Sequence, residues 1–248
     1  MTKFFRNLRR SFAMEHNTSK YLKYAIGEIL LVVIGILIAL QIDNWNENRK
    51  TTIQLDGYLN SIAKNIQSDT LQINQIKSLR IQQNLAALNY MDCVFKDSLS
   101  LELVGKIIPI LGEQYLNINQ AGYEALKNSG YIANLQGSAI EDALFNYYSY
   151  YEEIHESEIS LNNFIENMEV GIYDSNYDEL SLIFKIFSGQ NGMNKFSDDE
   201  INKAIKQIFH NSKILGIMQR VASERYFEVY DNLKTKGEKV ITLIKNDI

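Results

Sequence analysis

Glu152-x-x-His155 is the pattern in this 248-residue chain that comes nearest to metal chemistry. A carboxylate and an imidazole three residues apart share one face of a helix, which is half of a di-iron bundle site. The other half is a second such motif and two further carboxylates on facing helices. That half is missing: His210 follows Gln207 rather than a glutamate, and His16 lies near the amino terminus. Glu152, Glu153, Glu156 and Glu158 therefore read as a solvated acidic face, and no metal or other cofactor is expected. No zinc-type Cys/His spacing, Walker loop, dinucleotide glycine pattern or GxSxG elbow occurs. A serine or cysteine nucleophile needs a positioned base, and three scattered histidines supply none, so the chain is not expected to be an enzyme.

Tyr147, Tyr148, Tyr150 and Tyr151 form the densest aromatic cluster, with Tyr123 and Tyr131 close in sequence. Tyrosines in a helical bundle commonly run from core to rim with the hydroxyl wet. The other reading makes Tyr123, Tyr147, Tyr148 and Tyr151 a ligand or partner surface. Cys93, the single cysteine, cannot form an intrachain disulfide; it reads as a small buried hydrophobe or as an intermolecular thiol.

The element that positions everything else is the run Ala25 to Ile42, twelve of whose eighteen residues are Ile, Leu or Val. At ~1.5 Å per residue it covers roughly 27 Å, close to the ~30 Å core of a bilayer. Insertion at roughly 0.3 to 0.6 kcal/mol per aliphatic residue contributes on the order of 4 to 6 kcal/mol. Tyr21, Tyr24 and Trp45 flank the run where aromatic belts form. A buried helix of a soluble protein and a cleaved secretory signal are the rivals. A signal core is shorter and ends in small residues, whereas Ala39 here precedes Leu40, Gln41, Ile42 and Asp43, which favours an uncleaved anchor.

Residues 1 to 24 carry a formal charge of +5, leaving −10 on residues 25 to 248. Basic residues stay cytoplasmic, so the reading is a single-pass protein of a bacterial inner membrane, amino terminus inside and carboxyl-terminal domain periplasmic. The acidic remainder argues against nucleic acid as a partner. Within the leader, Phe4, Phe5, Leu8 and Phe12 share a face flanked by Arg6, Arg9 and Arg10, suiting either an interfacial helix or a docking peptide. In the span, Glu28, Gly35 and Ile42 recur every seven residues, and Gly35-xxx-Ala39 would let two helices approach. This face is either an oligomer contact or lipid-facing, and Glu28 either snorkels, packs in an oligomer or lines an ion path.

The run from Lys20 to Glu47, KYLKYAIGEILLVVIGILIALQIDNWNE, resembles a large uncharacterised family of single-span proteins from Bacteroidota, and Tyr123 to Gly130 followed by a helix with Tyr147-Tyr148 is similar to its middle part. The resemblance implies an inner-membrane protein with a periplasmic helical domain of unknown function, and brings no catalytic residues.

Beyond the span the helix is expected to continue to about residue 91, with Leu59, Ile62, Ile66, Ile73 and Ile76 inward, a break at Asp69-Thr70, and Ile81, Leu85 and Leu88 resuming the stripe. A short helix should end near Pro109 to Gly112, and another, capped by Asn119, at Ser129-Gly130. Capping boxes at Ser138-x-x-Glu141 and Ser197-x-x-Glu200 open two more helices. The first carries Leu144, Tyr147, Tyr148, Tyr151, Ile154, Leu161, Ile165 and Met168; residues 174 to 197 read as irregular apart from a short helix near Glu179 to Phe187, with Gly189 and Gly192 in a loop. The second carries a heptad stripe Ile201, Ile205, Ile208, Ser212, Leu215, Ala222, Tyr226, Val229 and Leu233.

The expected fold is all-α: one amino-terminal transmembrane helix continuing into an antiparallel extracytoplasmic bundle of four-helix type. The divisions are a leader over 1–24, a span over 25–42 and a bundle over 43–248. The expected function is a membrane-anchored interaction or scaffold subunit whose partners are membrane lipid and another protein or a second copy. A small-ligand sensor signalling through a partner is the alternative.

Overall fold

The computed structural model describes residues 18–188, 196–223 and 226–247. The leader stripe, His16, Gly189 and Gly192 lie outside them. The described residues form seven α-helices and two short 3-10 turns, without a strand: α1 Thr18–Phe95, α2 Leu101–Ile107, α3 Ala121–Ser129, α4 Ala139–Phe187, α5 Asp198–Phe209, α6 Ser212–Ser223 and α7 Tyr226–Asp247. The chain divides into two units at Gly57/Tyr58.

In the first unit only α1 is described. Among the described residues nothing covers the apolar run: Val33, the least exposed of its large aliphatic side chains, is 44% exposed and Leu31 70%. The helix is long and apolar enough to cross a membrane. Around Gly35 there is open space, and Glu28 is half-buried.

In the second unit α1, α4 and α7 form the framework. Lys77 binds Asp231 at 2.7 Å, Lys234 donates to Asn74 at 3.0 Å, and Ile66 faces Gly237, so α7 runs antiparallel to α1. A Cβ at Gly237 would lie 2.7 Å from the Ile66 Cγ2 methyl, and this missing side chain lets α7 close on the core. Tyr147 packs at Gly237 and Tyr230 bonds Glu158, so α7 is antiparallel to α4 as well. It follows that α1 and α4 run in the same direction, unlike neighbours joined by a short loop. The connection returns the chain: residues 113–119 run without regular secondary structure and α3 follows them, passing Arg80, then Asp69, then Ile62 of α1. An irregular strip and a nine-residue helix therefore stand where a four-helix bundle would carry its fourth long helix.

Local chemistry explains the ends. The Ser100, Ser138 and Ser197 hydroxyls each accept the amide three residues on, in the first turn of the following helix. Glu200 completes the box at Ser197, whereas Glu141 reaches back to the Gly137 amide instead of that of Ser138. Asn119 accepts from Ala121 and leads into α3, which stops at Gly130 with φ +78°, a conformation glycine adopts without strain.

Three expectations change. Asp69 does not break the α1 stripe: it points inward at 2% exposure, and Arg80, Gln83, Ala87 and Tyr90 continue the same 3-4 register, so that Leu85 and Leu88 face outward. The helix expected near Glu179 to Phe187 is present but is not separate, since α4 runs through 174–178 to Phe187 with a single kink at Asn176 (φ −134°, ψ 34°). The heptad over 201–233 is cut at Asn211, which caps α6 by accepting the Lys213 amide at 2.8 Å. There the register shifts: Phe209, Ile214, Ile217, Met218 and Val221 are buried, while Ser212 is exposed.

Candidate functional site

The polar groups inside the bundle serve the irregular strip. A buried loop must find partners for its own amides and carbonyls. Here Asp69 Oδ1 accepts from Asn119 at 2.9 Å, and Glu158 Oε2 accepts from Leu116 at 2.8 Å. Arg80 and Asn162 both donate to the Gln114 carbonyl, at 2.9 and 3.0 Å, and Gln83 donates to Pro109. The Tyr151 hydroxyl donates to the Leu116 carbonyl. Glu158, fully buried, also accepts from the Tyr230 hydroxyl at 2.5 Å. Burial and the Glu158 carboxylate raise the Tyr230 pKa, keeping that hydroxyl a donor.

The aromatic cluster is largely consumed by the same interior. Tyr147, Tyr148 and Tyr151 are at most 5% exposed, and Tyr123 is half-buried with its ring stacked on Tyr148 at 4.0 Å. Glu152 accepts from Gln120, and His155 lies beside the Tyr151 and Tyr115 rings. Among the described residues no three His, Cys, Asp or Glu side chains converge as a metal site would require. His210 takes the Lys206 carbonyl, and Cys93 is half-buried near Asn89.

One part of this interior is left polar without compensation. Asp69 Oδ2 and the Tyr147 and Tyr148 hydroxyls have no hydrogen-bond partner in the structure, and burial raises the Asp69 pKa. Because the folded pKa lies above the unfolded one, this group's contribution to stability is fully present below the unfolded value and is lost as pH rises through the folded value. Once the pH exceeds the folded value the fold carries the cost of the buried charge. Asp69→Asn keeps an acceptor for Asn119 and removes that charge, so it should stabilise the fold at pH 8 by on the order of 1 kcal/mol, read as a higher Tm, and change little at pH 3.5. Thermal melts at the two pH values test this, and a lower Tm at pH 8 would contradict it.

An open feature of chemical interest lies beside the bent end of α4. The kink at Asn176 is tied to the α5–α6 turn: Asn211 Nδ2 donates to Asn176 Oδ1 at 2.7 Å and to Ser175 Oγ at 3.0 Å. The same Asn211 caps α6, so one side chain fixes both the bend of α4 and the start of α6. Between α2, the bent end of α4, α5 and α6 lies a cleft of about 570 Å³. Val104, Ile107, Ile183, Phe209 and Met218 form its floor, while Tyr173, Tyr177, Phe184 and Phe187 are exposed at its walls. Among the described residues no Asp, Glu, Lys, Arg or His side chain lines it.

One turn before the kink, Lys213 lies across Gly171 of α4. A Cβ at that glycine would fall 1.4 Å from the Lys213 ammonium nitrogen, so only glycine leaves room for it. Ile172 and Ile214, the next residue on each helix, are cleft residues. Among the described residues no carboxylate pairs with Lys213.

The sequence carries a trace of the cleft. Tyr173, Tyr177, Leu180, Phe184 and Phe187 recur at 3-4 spacing alongside the buried Ile172, Ile183 and Ile186, giving this stretch two apolar faces. One face suffices for packing on a core, and the second is surplus.

A family model described as a family of unknown function, DUF6090, matches residues 28–185. No curated protein matches the chain, and no solved structure does. The matched region takes in most of α1, the irregular strip and all but the last two residues of α4. With well over half of its length matched, the chain belongs to the DUF6090 family.

Proposed function

We propose that this protein is a membrane-anchored interaction subunit: α1 crosses the bacterial inner membrane with the amino terminus cytoplasmic, and the periplasmic helical domain engages its target at the apolar cleft. The cleft is the observation that carries the reading. Its exposed tyrosine and phenylalanine side chains are surplus to the core, and a pocket of about 570 Å³ falls within the ~300 to 1,000 Å³ of ligand sites. Anchoring is supported by the uncovered apolar run and by the basic leader before it. The pocket's size also favours the sensor variant of the same reading, in which occupancy of the cleft is passed to a partner protein.

Alkaline phosphatase fused after Ile248 should be active in a bacterial host, and a cytoplasm-only reporter at the same place inactive. The reverse result would invert the topology. For the cleft, a photo-crosslinking residue at Phe184, with a control at the equally exposed Leu71, is read in intact membranes. A discrete adduct at 184, absent at 71 and lost when Leu180→Trp fills the cleft, is the expected outcome. The same adducts at both positions would remove the cleft from the function.

A further inference from the structure

The apolar cleft is bordered by charge of one sign. Between Glu166 and Phe184 the chain carries five acids, Glu166, Glu169, Asp174, Asp178 and Glu179, and no Lys, Arg or His. Glu169 stands one helical turn before Ile172 and Tyr173, which both line the cleft, so it lies on the cleft side of α4. Glu166 is a further turn back, exposed, and in line with Val170 and Tyr173. The irregular strip brings a third carboxylate to this place. It leaves the cleft at Leu111, and Asn162 of α4 holds the Gln114 carbonyl at 3.0 Å, with Glu113 between them in the chain. Burial raises the Glu169 pKa, and the Glu166 and Glu113 charges raise it further. Lys213 does not answer these acids, because it meets α4 at Gly171, on the side turned away from Tyr173. Among the described residues no lysine or arginine forms an ion pair with them.

Length supplies the second constraint. Past the acids, Tyr173, Tyr177, Leu180, Phe184 and Phe187 continue the same side of α4 as an apolar ridge at 3-4 spacing. From Glu166 to Phe187 the bent helix rises roughly 30 Å, at ~1.5 Å per residue. A small cationic amphiphile would cover one end of that length. An amphipathic helix of about twenty residues covers all of it, with apolar side chains at i, i+3, i+4 and i+7 against the aromatic ridge and Lys or Arg at the acidic end. Opposite charge placed at one end also fixes the direction in which such a helix lies.

We infer that the cleft docks a basic amphipathic helix of a partner protein, its apolar side chains against Tyr173, Tyr177 and Phe184 and its cationic end on Glu113, Glu166 and Glu169. The inference rests on the reading that the cleft is the point of engagement, and it names the partner's chemistry. No covalent step is involved.

The test uses the full-length chain in phosphatidylcholine nanodiscs, with the photo-crosslinking residue at position 184. The probe is a fluorescent leucine–lysine peptide in helical order. A leucine–glutamate peptide of the same order and a scrambled leucine–lysine peptide are the controls. A saturable adduct with the ordered leucine–lysine peptide alone is expected. Glu113→Gln, Glu166→Gln and Glu169→Gln together should weaken its binding about tenfold. They should also flatten its salt dependence between ~0.05 and ~0.5 M NaCl. Glu152→Gln, Glu153→Gln and Glu156→Gln make the same change of charge on an exposed part of α4 away from the cleft, and should leave binding within about twofold of the native chain. Unaltered melting curves in both sets show that the fold survives. Equal adducts with the ordered and scrambled peptides, or with the acidic one, would overturn the proposal. So would an equal loss in the two triple variants, or an adduct that Leu180→Trp leaves undiminished. If position 184 captures no peptide but still gives, in intact membranes, a discrete adduct that Leu180→Trp removes, the partner chemistry is wrong and the engagement reading survives. If neither adduct forms, both fall.

Discussion

Glu158→Ala leaves the helical domain unfolded, or close to it, at temperatures where the native chain is intact. Removing this carboxylate strips the acceptor from the Leu116 amide and the Tyr230 hydroxyl, both inside the domain. It also removes a buried carboxylate from the neighbourhood of Arg80, whose guanidinium donates to the Gln114 carbonyl of the same strip. Deleting one member of a buried polar set costs roughly 3 to 5 kcal/mol, against a total stability of ~5 to 15 kcal/mol. Glu158→Gln, which keeps an acceptor oxygen, should lose much less. Near-UV circular dichroism of the full chain reports the buried tyrosines and so follows this domain. A Glu158→Ala midpoint within about 1 kcal/mol of the native protein would show that the strip is held elsewhere.

The double substitution Val33→Asp, Leu37→Asp should release the protein from the membrane. Each aspartate near the centre of a span opposes insertion by ~2.5 to 3.5 kcal/mol, so two cancel the roughly 4 to 6 kcal/mol that the aliphatic residues contribute. The second unit, beginning at Tyr58, contains neither residue and should keep its near-UV signal. Alkaline carbonate extraction of membranes, followed by immunoblotting of pellet and supernatant, reads the result. Continued retention in the pellet would mean that Ala25 to Ile42 is not the anchor.

What the sequence made legible, and what it hid, follows from how polar residues are treated in a periodicity argument. Ile62, Ile66 and Ile73 identify the inward face of α1, and Leu144, Tyr147, Tyr151 and Ile154 that of α4, because apolar side chains recur there every three or four residues. Serine caps and Gly130 mark the ends of helices through their own local chemistry. Asp69, Arg80, Gln83 and Glu158 also sit on inward faces, yet Asp69 reads as a break, Glu158 as a solvated acid, and Arg80 and Gln83 carry no sequence signal. Their reason for being inside lies in residues 109–119, whose backbone they satisfy, and nothing near them in sequence announces that segment.

The cleft was hidden for a related reason. Asn176 and the glycines beyond Phe187 suggest irregular chain, which masks the double apolar face of residues 172–187. Asn211 divides a stripe that looks continuous, because a single side chain capping α6 outweighs the heptad pattern across it. Lys213 carries no signal at all in sequence; its position depends on a glycine 42 residues earlier.

The closure of α7 on α1 has a consequence for how the protein is made. The contacts that cover α1 join residues 154 and 160 positions apart, Lys77 with Asp231 and Asn74 with Lys234. A ribosome adding ~5 to 20 residues per second needs roughly 8 to 30 seconds between the two partners. Throughout that interval Ile66 and Ile73 belong to a half-built domain whose closing helix has not emerged. Chaperones and proteases at the site of synthesis therefore meet this chain as an open apolar trough, and a translation product interrupted before α7 remains one.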